Sequence, residues 1–438
     1  MVVPMAAQTT AFAADDKEIT YWNIAVESPD KDIVTAAVDK FNKETKSGYT
    51  VNSVAIQNDT YKEKLVIAMS SGECPDMYSS WSGGPMYEYI DSGFAQPIDD
   101  LLDQSDVKDK LLDAAIEQGS YKGHVYAIPY MNVVLAGIFY NKDMFKQYGL
   151  EEPKTLADLE NICATLKENG ITPFALANGS KWTGSMYFMS LAARYGGLEP
   201  FQNAVAGTGK FTDDCFIKAG EKIQEWVNNG YFPDGVNSLS EDDGQAKQLM
   251  YQETAGMLLC GSWYTGTFQS DSEEFYQKIG WFPFPAIDDS DADPTIQIGT
   301  VGDQFISFNC EGDKLAAAFE CATDHLSDEV EDMIYSTGKI APVKDAGDHI
   351  SDPVVKEIFD AAQEASSIQL WYDQYLPTSV ASAHLDGLQE VFGLTKTPQE
   401  AQEEMQTAMD EYLSTKSDSG AADDTAEEAT DDAADDAE

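Results

Sequence analysis

Three of the seven Trp residues sit in polar loops beside glycine: Trp81 in Ser-Trp-Ser-Gly-Gly, Trp182 in Lys-Trp-Thr-Gly and Trp263 in Gly-Ser-Trp-Tyr-Thr-Gly. A Trp that packs a core is bracketed by apolar residues at helical or strand spacing, as Trp226 is by Ile223 and Val227. A Trp among hydroxyls, amides and carboxylates can instead stack on the apolar face of a pyranose while its neighbours hydrogen-bond the sugar hydroxyls. Trp371-Tyr372-Asp373-Gln374 brings ring, carboxylate and amide together within a few residues. Packing would explain any one of these Trp as well. As a set, in a chain with 21 Tyr and 20 Phe, they point to carbohydrate recognition.

Residues that would break bonds are harder to find. The four His (His124, His325, His349, His384) form no H-E-x-x-H, and neither a G-x-S-x-G elbow nor a phosphate loop is present. Carboxylate pairs suited to glycoside hydrolysis abound, but 77 acidic residues supply them by chance. Asp289-Ser290-Asp291-Ala292-Asp293 starts like a calcium loop, yet Pro294 stands where the sharp turn needs Gly and Thr300 where the last ligand should be Glu, so it reads as a solvated acidic loop. Six Cys without a C-x-x-C pair argue against zinc and thiol-redox motifs, and most read as buried small side chains. The inventory calls for no catalytic residue, no metal and no cofactor.

These side chains need elements to position them. From Glu18 onward strands and helices alternate. Ile19–Ile24 reads as a strand, and the next segment puts Ile33, Val34, Ala37, Val38 and Phe41 on one helical face. Tyr49–Ile56 is a strand, Asp59 opens a helix carrying Tyr61, Leu65, Ala68 and Met69 that closes near Gly72, and Met77–Ser80 is a strand again. This β-α-β-α-β succession implies an α/β fold with a mainly parallel sheet, in which ligands sit at the carboxyl ends of strands. Trp22 and the run Trp81-Ser82-Gly83-Gly84-Pro85 occupy that end. A second α/β region follows, with strands expected at 124–129 and 133–140 and helices around 156–166, 186–195 and 219–228. Trp281-Phe282-Pro283-Phe284-Pro285 is extended, sheet resumes over Gln304–Phe308, and helices run from Lys314 to about Leu413.

With 77 acidic against 27 basic residues in 438, the net charge is -50, which excludes nucleic acid as a partner. No run of about 18 apolar residues occurs, and a chain this long favours two domains over one. Ala11-Phe12-Ala13 fits a signal-peptidase site, so residues 1–16 are expected to be the remnant of a secretory signal or a disordered end. Residues 415–438, almost wholly Asp, Glu, Ala, Ser, Thr and Gly, are expected to be a disordered acidic tail.

Further marks give the pattern a family. Pro75-Asp76 leads to Trp81-Ser82-Gly83-Gly84 and Tyr89-Ile90-Asp91-Ser92-Gly93, and Gly123-His124-Val125-Tyr126-Ala127-Ile128-Pro129 follows. Then come Phe139-Tyr140-Asn141-Lys142-Asp143-Met144-Phe145, Gly170-Ile171-Thr172-Pro173, Gly256-Met257 with Gly261-Ser262-Trp263, and Thr397-Pro398-Gln399-Glu400-Ala401. In this order and spacing the chain resembles the extracellular solute-binding proteins of bacterial carbohydrate ABC importers, family 1, from Glu18 to about Leu413.

The resemblance implies a two-lobed, periplasmic-binding-protein-like α/β fold with a hinge and an interlobe ligand cleft. Lobe 1 would take residues 17–129 and 287–325, and lobe 2 residues 130–286 and 326–414. Trp182 resembles the family's stacking residue, and Trp371, Asp373 and Gln374 resemble its aromatic-x-acid-polar cluster, Gln374 standing where some members carry His. The expected ligand-binding set is Trp22, Asn23, Asp76, Trp81, Trp182, Trp263, Asp303, Trp371, Asp373 and Gln374. The implied protein is a secreted, cell-surface-associated monomer that captures an oligosaccharide and delivers it to the transmembrane subunits of an ABC permease. A secreted glycoside hydrolase and a polyamine-binding protein of the same fold are the competing readings.

Overall fold

The computed structural model describes residues 17–131 and 133–431, with side chains through Lys416. The expected signal remnant at residues 1–16 lies outside the described residues. Thirteen strands are described: β1 (Glu18–Asn23), β2 (Thr50–Ala55), β3 (Met77–Ser80), β4 (Ser120–Tyr121), β5 (His124–Val125), β6 (Ala127–Pro129), β7 (Val134–Asn141), β8 (Thr172–Phe174), β9 (Ala255–Gly261), β10 (Ile279–Pro283), β11 (Gln297–Thr300), β12 (Phe305–Phe308) and β13 (Ile368–Gln369). They form two main sheets, each the floor of one lobe, and β4 and β5 make a small hairpin.

The first sheet has the order β2-β1-β3-β12-β6. β1 lies parallel to β2 and β3, as the β-α-β-α-β pattern requires, and β12 enters antiparallel between β3 and β6. The helix Asp30–Glu44 buries Ile33, Val34, Ala37, Val38 and Phe41, the stripe that its spacing prescribes, with Asp30 and Asp32 in the first turn and Lys43 in the last. The helix Asn58–Ser71 buries Tyr61, Leu65, Ala68 and Met69 and stops at Gly72, whose φ of 72° suits a residue without Cβ.

The second sheet departs from the mainly parallel expectation. β7 sits at its centre and pairs antiparallel with β9, β10 and β11, while β8 joins β9 and β13 joins β11 in parallel. Every residue of β7 and β9 is buried, because helices cover the sheet. The segment 287–325, expected in one lobe, divides: β11 hydrogen-bonds to β7 in the second sheet, and β12, four residues on, belongs to the first.

Among the described residues three connections join the lobes, between Pro129 and Val134, between Thr300 and Phe305, and between Ser336 and Pro353. They lie side by side. Tyr130 donates its backbone N–H to the Gln304 carbonyl at 3.1 Å and its hydroxyl to Gln304 Oε1 at 2.6 Å, and Val133 donates to the Ile340 carbonyl at 2.8 Å. Buried His325 packs edge-on against Tyr130 and Tyr21, and burial holds its imidazole down to about 4. All six Cys are free, and all but half-buried Cys74 are buried.

The last helix, Pro398–Asp431, corrects the expectation of disorder from residue 415. Buried Met405 and Met409 anchor its first half, and Ala421, Ala422, Ala426 and Ala429, the best helix former, recur in the continuation. Residues 432–438 lie outside the described residues.

Candidate functional site

A cleft of about 740 Å³ opens between the lobes, next to the connections. Its walls are loops and helix starts that follow strands β1, β2, β3, β8, β9 and β13, the carboxyl ends where such sheets hold ligands. The first lobe contributes Ile24 and Asp30 after β1, Asn58 and Lys62 at the start of the helix after β2, and Trp81 after β3. The second contributes Trp182 and Met186 from the start of the helix Trp182–Gly196, Glu241, Trp263 after β9, and Trp371, Asp373 and Gln374 after β13. Asp303 and Gln304 come from a connection itself.

The three indoles of the second lobe form one wall. The rings of Trp182 and Trp263 are 6.0 Å apart at 61°, and those of Trp263 and Trp371 are 6.2 Å apart at 66°. Trp371 is 2% exposed and packs behind Trp263, while Trp182 and Trp263 keep ring surface toward the gap. Trp81 faces them from the first lobe, with Lys62 Nζ 5.0 Å from its ring centre.

The lobes touch. Lys62 Nζ lies 3.2 Å from Asp373 Oδ2, Trp182 Nε1 donates to Asp59 Oδ1 at 3.3 Å, and the Asp59 N–H donates to Asp242 Oδ2 at 3.0 Å. Thr378 donates its N–H and hydroxyl to the two carboxylate oxygens of Glu88, at 3.0 and 2.6 Å. Gly83 and Gly84 meet the backbone of 374–376. A Cβ on Gly83 would fall 2.3 Å from the Gln374 carbonyl oxygen, and one on Gly84 2.3 Å from that of Leu376. The conformation is therefore closed.

Two carboxyl groups in the cleft are unusual. Burial pushes both Glu241 and Asp303 up to about 7. The Tyr264 hydroxyl donates to Glu241 and opposes its shift. For Asp303 the opposing charge is Lys339, itself buried and paired with Asp30. At neutral pH each is poised between accepting and donating hydrogen bonds, both of which a polyol offers.

Of the expected set, Trp81, Trp182, Trp263, Asp303, Trp371, Asp373 and Gln374 line this cleft. Trp22, Asn23 and Asp76 do not, and each is corrected for a visible reason. Trp22 lies on the face of β1 that the helix Asn58–Ser71 covers, packed beside Tyr61 and Leu65. Asn23 is fully buried, donating to Ser53 Oγ at 2.8 Å and accepting from the Ala25 N–H at 3.0 Å. Asp76 precedes β3 and so sits at the opposite end of the sheet. It accepts from the Thr20 N–H and hydroxyl and pairs with Lys314 at 2.6 Å. Asn58, Lys62 and Glu241 were missed. The strand-end rule that singled out Trp81 also points to the helix after β2, and so to Asn58 and Lys62; Glu241 lies in an acidic run with no distinguishing neighbour.

The profile of the bacterial extracellular solute-binding proteins matches residues 25–322. An uncharacterized ABC transporter extracellular-binding protein of Pyrococcus horikoshii is 28% identical over 65% of this chain, which spans 64% of that relative's length. A probable sugar-binding periplasmic protein of Mesorhizobium japonicum is 25% identical over 92% of this chain and 95% of its own. A solved structure from work on xylan utilization by the thermophilic bacterium Caldanaerobius polysaccharolyticus is 29% identical, covering 89% of this chain and 99% of that one with a TM-score of 0.81. A chitin oligosaccharide binding protein shares the fold at a TM-score of 0.82 and 23% identity, covering 90% of this chain and 98% of its own.

Proposed function

The chain belongs to the bacterial extracellular solute-binding proteins, and from that premise we propose that it captures an oligosaccharide between its lobes and delivers it to the permease of an ABC importer. The observation that carries this reading is the stepped wall of Trp182, Trp263 and Trp371 facing Trp81, Lys62 and Asn58 across one gap. Indole faces take the C–H faces of successive sugar rings. Asp303, Glu241, Asp373, Gln374 and Asn58 surround them with groups that bond hydroxyls in plane.

Closure is the mechanism. A sugar resting on the second-lobe indoles leaves hydroxyls unbonded on its other side, and these draw in Lys62 and Asn58, shifting the hinge equilibrium toward the closed form. The permease reads that form. Binding and release make and break no covalent bond, so the site works without an acid, base or nucleophile. Among the described residues no helix is long and apolar enough to cross a membrane, and the family is extracellular. On the family ground we assign the protein to the outside of the cell, at its surface.

Calorimetry and thermal-shift screening against linear di- to tetrasaccharides, with spermidine as a comparison, test the reading. Micromolar or tighter saccharide binding without release of shorter products is the expected result. Binding of spermidine but of no saccharide, or release of cleaved sugar, overturns it.

A further inference from the structure

The cleft does not end at Trp81. On the far side of Lys62, Trp81, Asp373 and Gln374, which line both spaces and form a waist between them, lies a second chamber of about 800 Å³, likewise walled by both lobes. Its chemistry differs. The first lobe supplies Leu65, Val66, Pro85 and Tyr89, and the second supplies Ala381 and Leu385. The Tyr89 phenol and the hydroxyls of Ser80, Thr378 and Ser382 are the side-chain polar groups past the waist, with no carboxylate or amide among them. The opposite end is a chamber of about 860 Å³ with Glu27, Asp30, Gln57, Asp242 and Lys247 on its walls. Along its length the cleft runs from charged, through aromatic and polar, to aliphatic.

A hexose placed in the aliphatic chamber would leave most of its hydroxyls without partners, at a cost for each one withdrawn from water. An apolar group would instead cover Val66, an aliphatic side chain that stands 45% exposed, and the half-buried Leu385 opposite it. We propose that this chamber receives an apolar substituent at one end of the saccharide, an aryl or alkyl aglycone, so that the ligand lies in one direction, its hydroxyl-rich end toward Glu27 and Lys247. The inference rests on the oligosaccharide reading above and gives it a substrate class: glycosides rather than free sugars.

The test is calorimetry with matched methyl and 4-nitrophenyl glycosides of glucose, xylose, galactose and N-acetylglucosamine, in both anomers, on the wild-type protein and on the double variant Val66→Ser/Leu385→Ser. Free di- and trisaccharides form the third arm. The expected result is that an aryl glycoside binds about tenfold or more tighter than its methyl counterpart. In the variant that advantage shrinks to about threefold or less while the methyl glycoside keeps its affinity. Equal binding of the pair, an advantage that survives in the variant, or the same advantage for a trisaccharide lost in the same variant overturns the inference and leaves saccharide binding standing. Binding of no glycoside and no free sugar overturns the oligosaccharide reading, and this inference with it. Val66 is exposed, so Val66→Ser alone keeps the comparison interpretable should the double variant fail to fold.

Discussion

Lys62 Nζ and Asp373 Oδ2 are 3.2 Å apart, the ammonium on the first lobe and the carboxylate on the second, so the pair forms only when the lobes have come together. The Lys62 side chain keeps a third of its surface in water, and the interaction is worth about 0–1 kcal/mol at such sites. Lys62→Met should therefore open the unliganded protein slightly and weaken saccharide binding by up to about fivefold, without lowering the melting temperature. Small-angle scattering and calorimetry measure the two effects. A radius of gyration and an affinity both unchanged would show that the pair does not bias closure.

The three indoles of the wall should respond differently to truncation. Trp182 is half-exposed at the start of its helix, so Trp182→Ala should keep the fold and weaken binding about tenfold or more. Trp371 is 2% exposed beneath Trp263, and Trp371→Ala leaves a cavity expected to cost about 3–5 kcal/mol of stability. Melting temperatures together with affinities separate the two; a Trp371→Ala protein as stable as wild type would contradict the supporting role given to that ring.

How far these roles could be read in advance depends on the kind of signal. The helices 30–44 and 58–71 follow from periodicity, because each has a solvent face to contrast with its core face, whereas β3, buried throughout, is legible from its place in the β-α-β-α-β succession. β9 was not recognised as a strand: Gly256-Met257-Leu258-Leu259-Cys260 is buried on both faces, and a short unbroken apolar run reads equally as buried helix. β11 was missed for a related reason, since four residues between loops carry no period, and the lobe boundary fell in the wrong turn as a result. At the cleft, loop Trp among polar neighbours pointed to Trp81, Trp182 and Trp263, all three of which lie on its walls. Trp22 shows the limit of that logic, because its position on β1 looks the same whichever face of the sheet a helix covers.

Gly83 and Gly84 give a prediction that concerns the closed form alone. Gly84→Ala would put a Cβ 2.3 Å from the Leu376 carbonyl oxygen, a backbone atom that cannot step aside without moving its lobe. The unliganded variant can relieve the clash by opening, so its melting temperature should stay within a few degrees of wild type. Affinity should fall at least tenfold. Calorimetry decides, and an alanine variant that binds as tightly as wild type would mean that the two backbones need not meet during capture.

The raised carboxyls predict a pH dependence with a definite sign. In the unfolded chain Glu241 and Asp303 titrate near 4, and in the fold at about 7. Between those values the folded state holds more protons, so these groups' contribution to stability falls as pH rises through the window. Glu241→Gln/Asp303→Asn removes that penalty. The melting temperature of the variant minus that of wild type should therefore grow from pH 5 to pH 8. His325, held down to about 4, works in the opposite direction below about 6.5, but it is common to both proteins and drops out of the difference. A difference constant with pH would show that the two carboxyls titrate as ordinary ones.

On the proposed reading, Asp303 and Gln304 line the cargo cleft and belong to a connection between the lobes, with Gln304 tied to Tyr130 on the adjacent connection. Whatever occupies the gap thus grips the axle as well as the doors. Occupancy and bend angle become one variable, and a partner that senses only the outer shape of the molecule learns whether it arrives loaded.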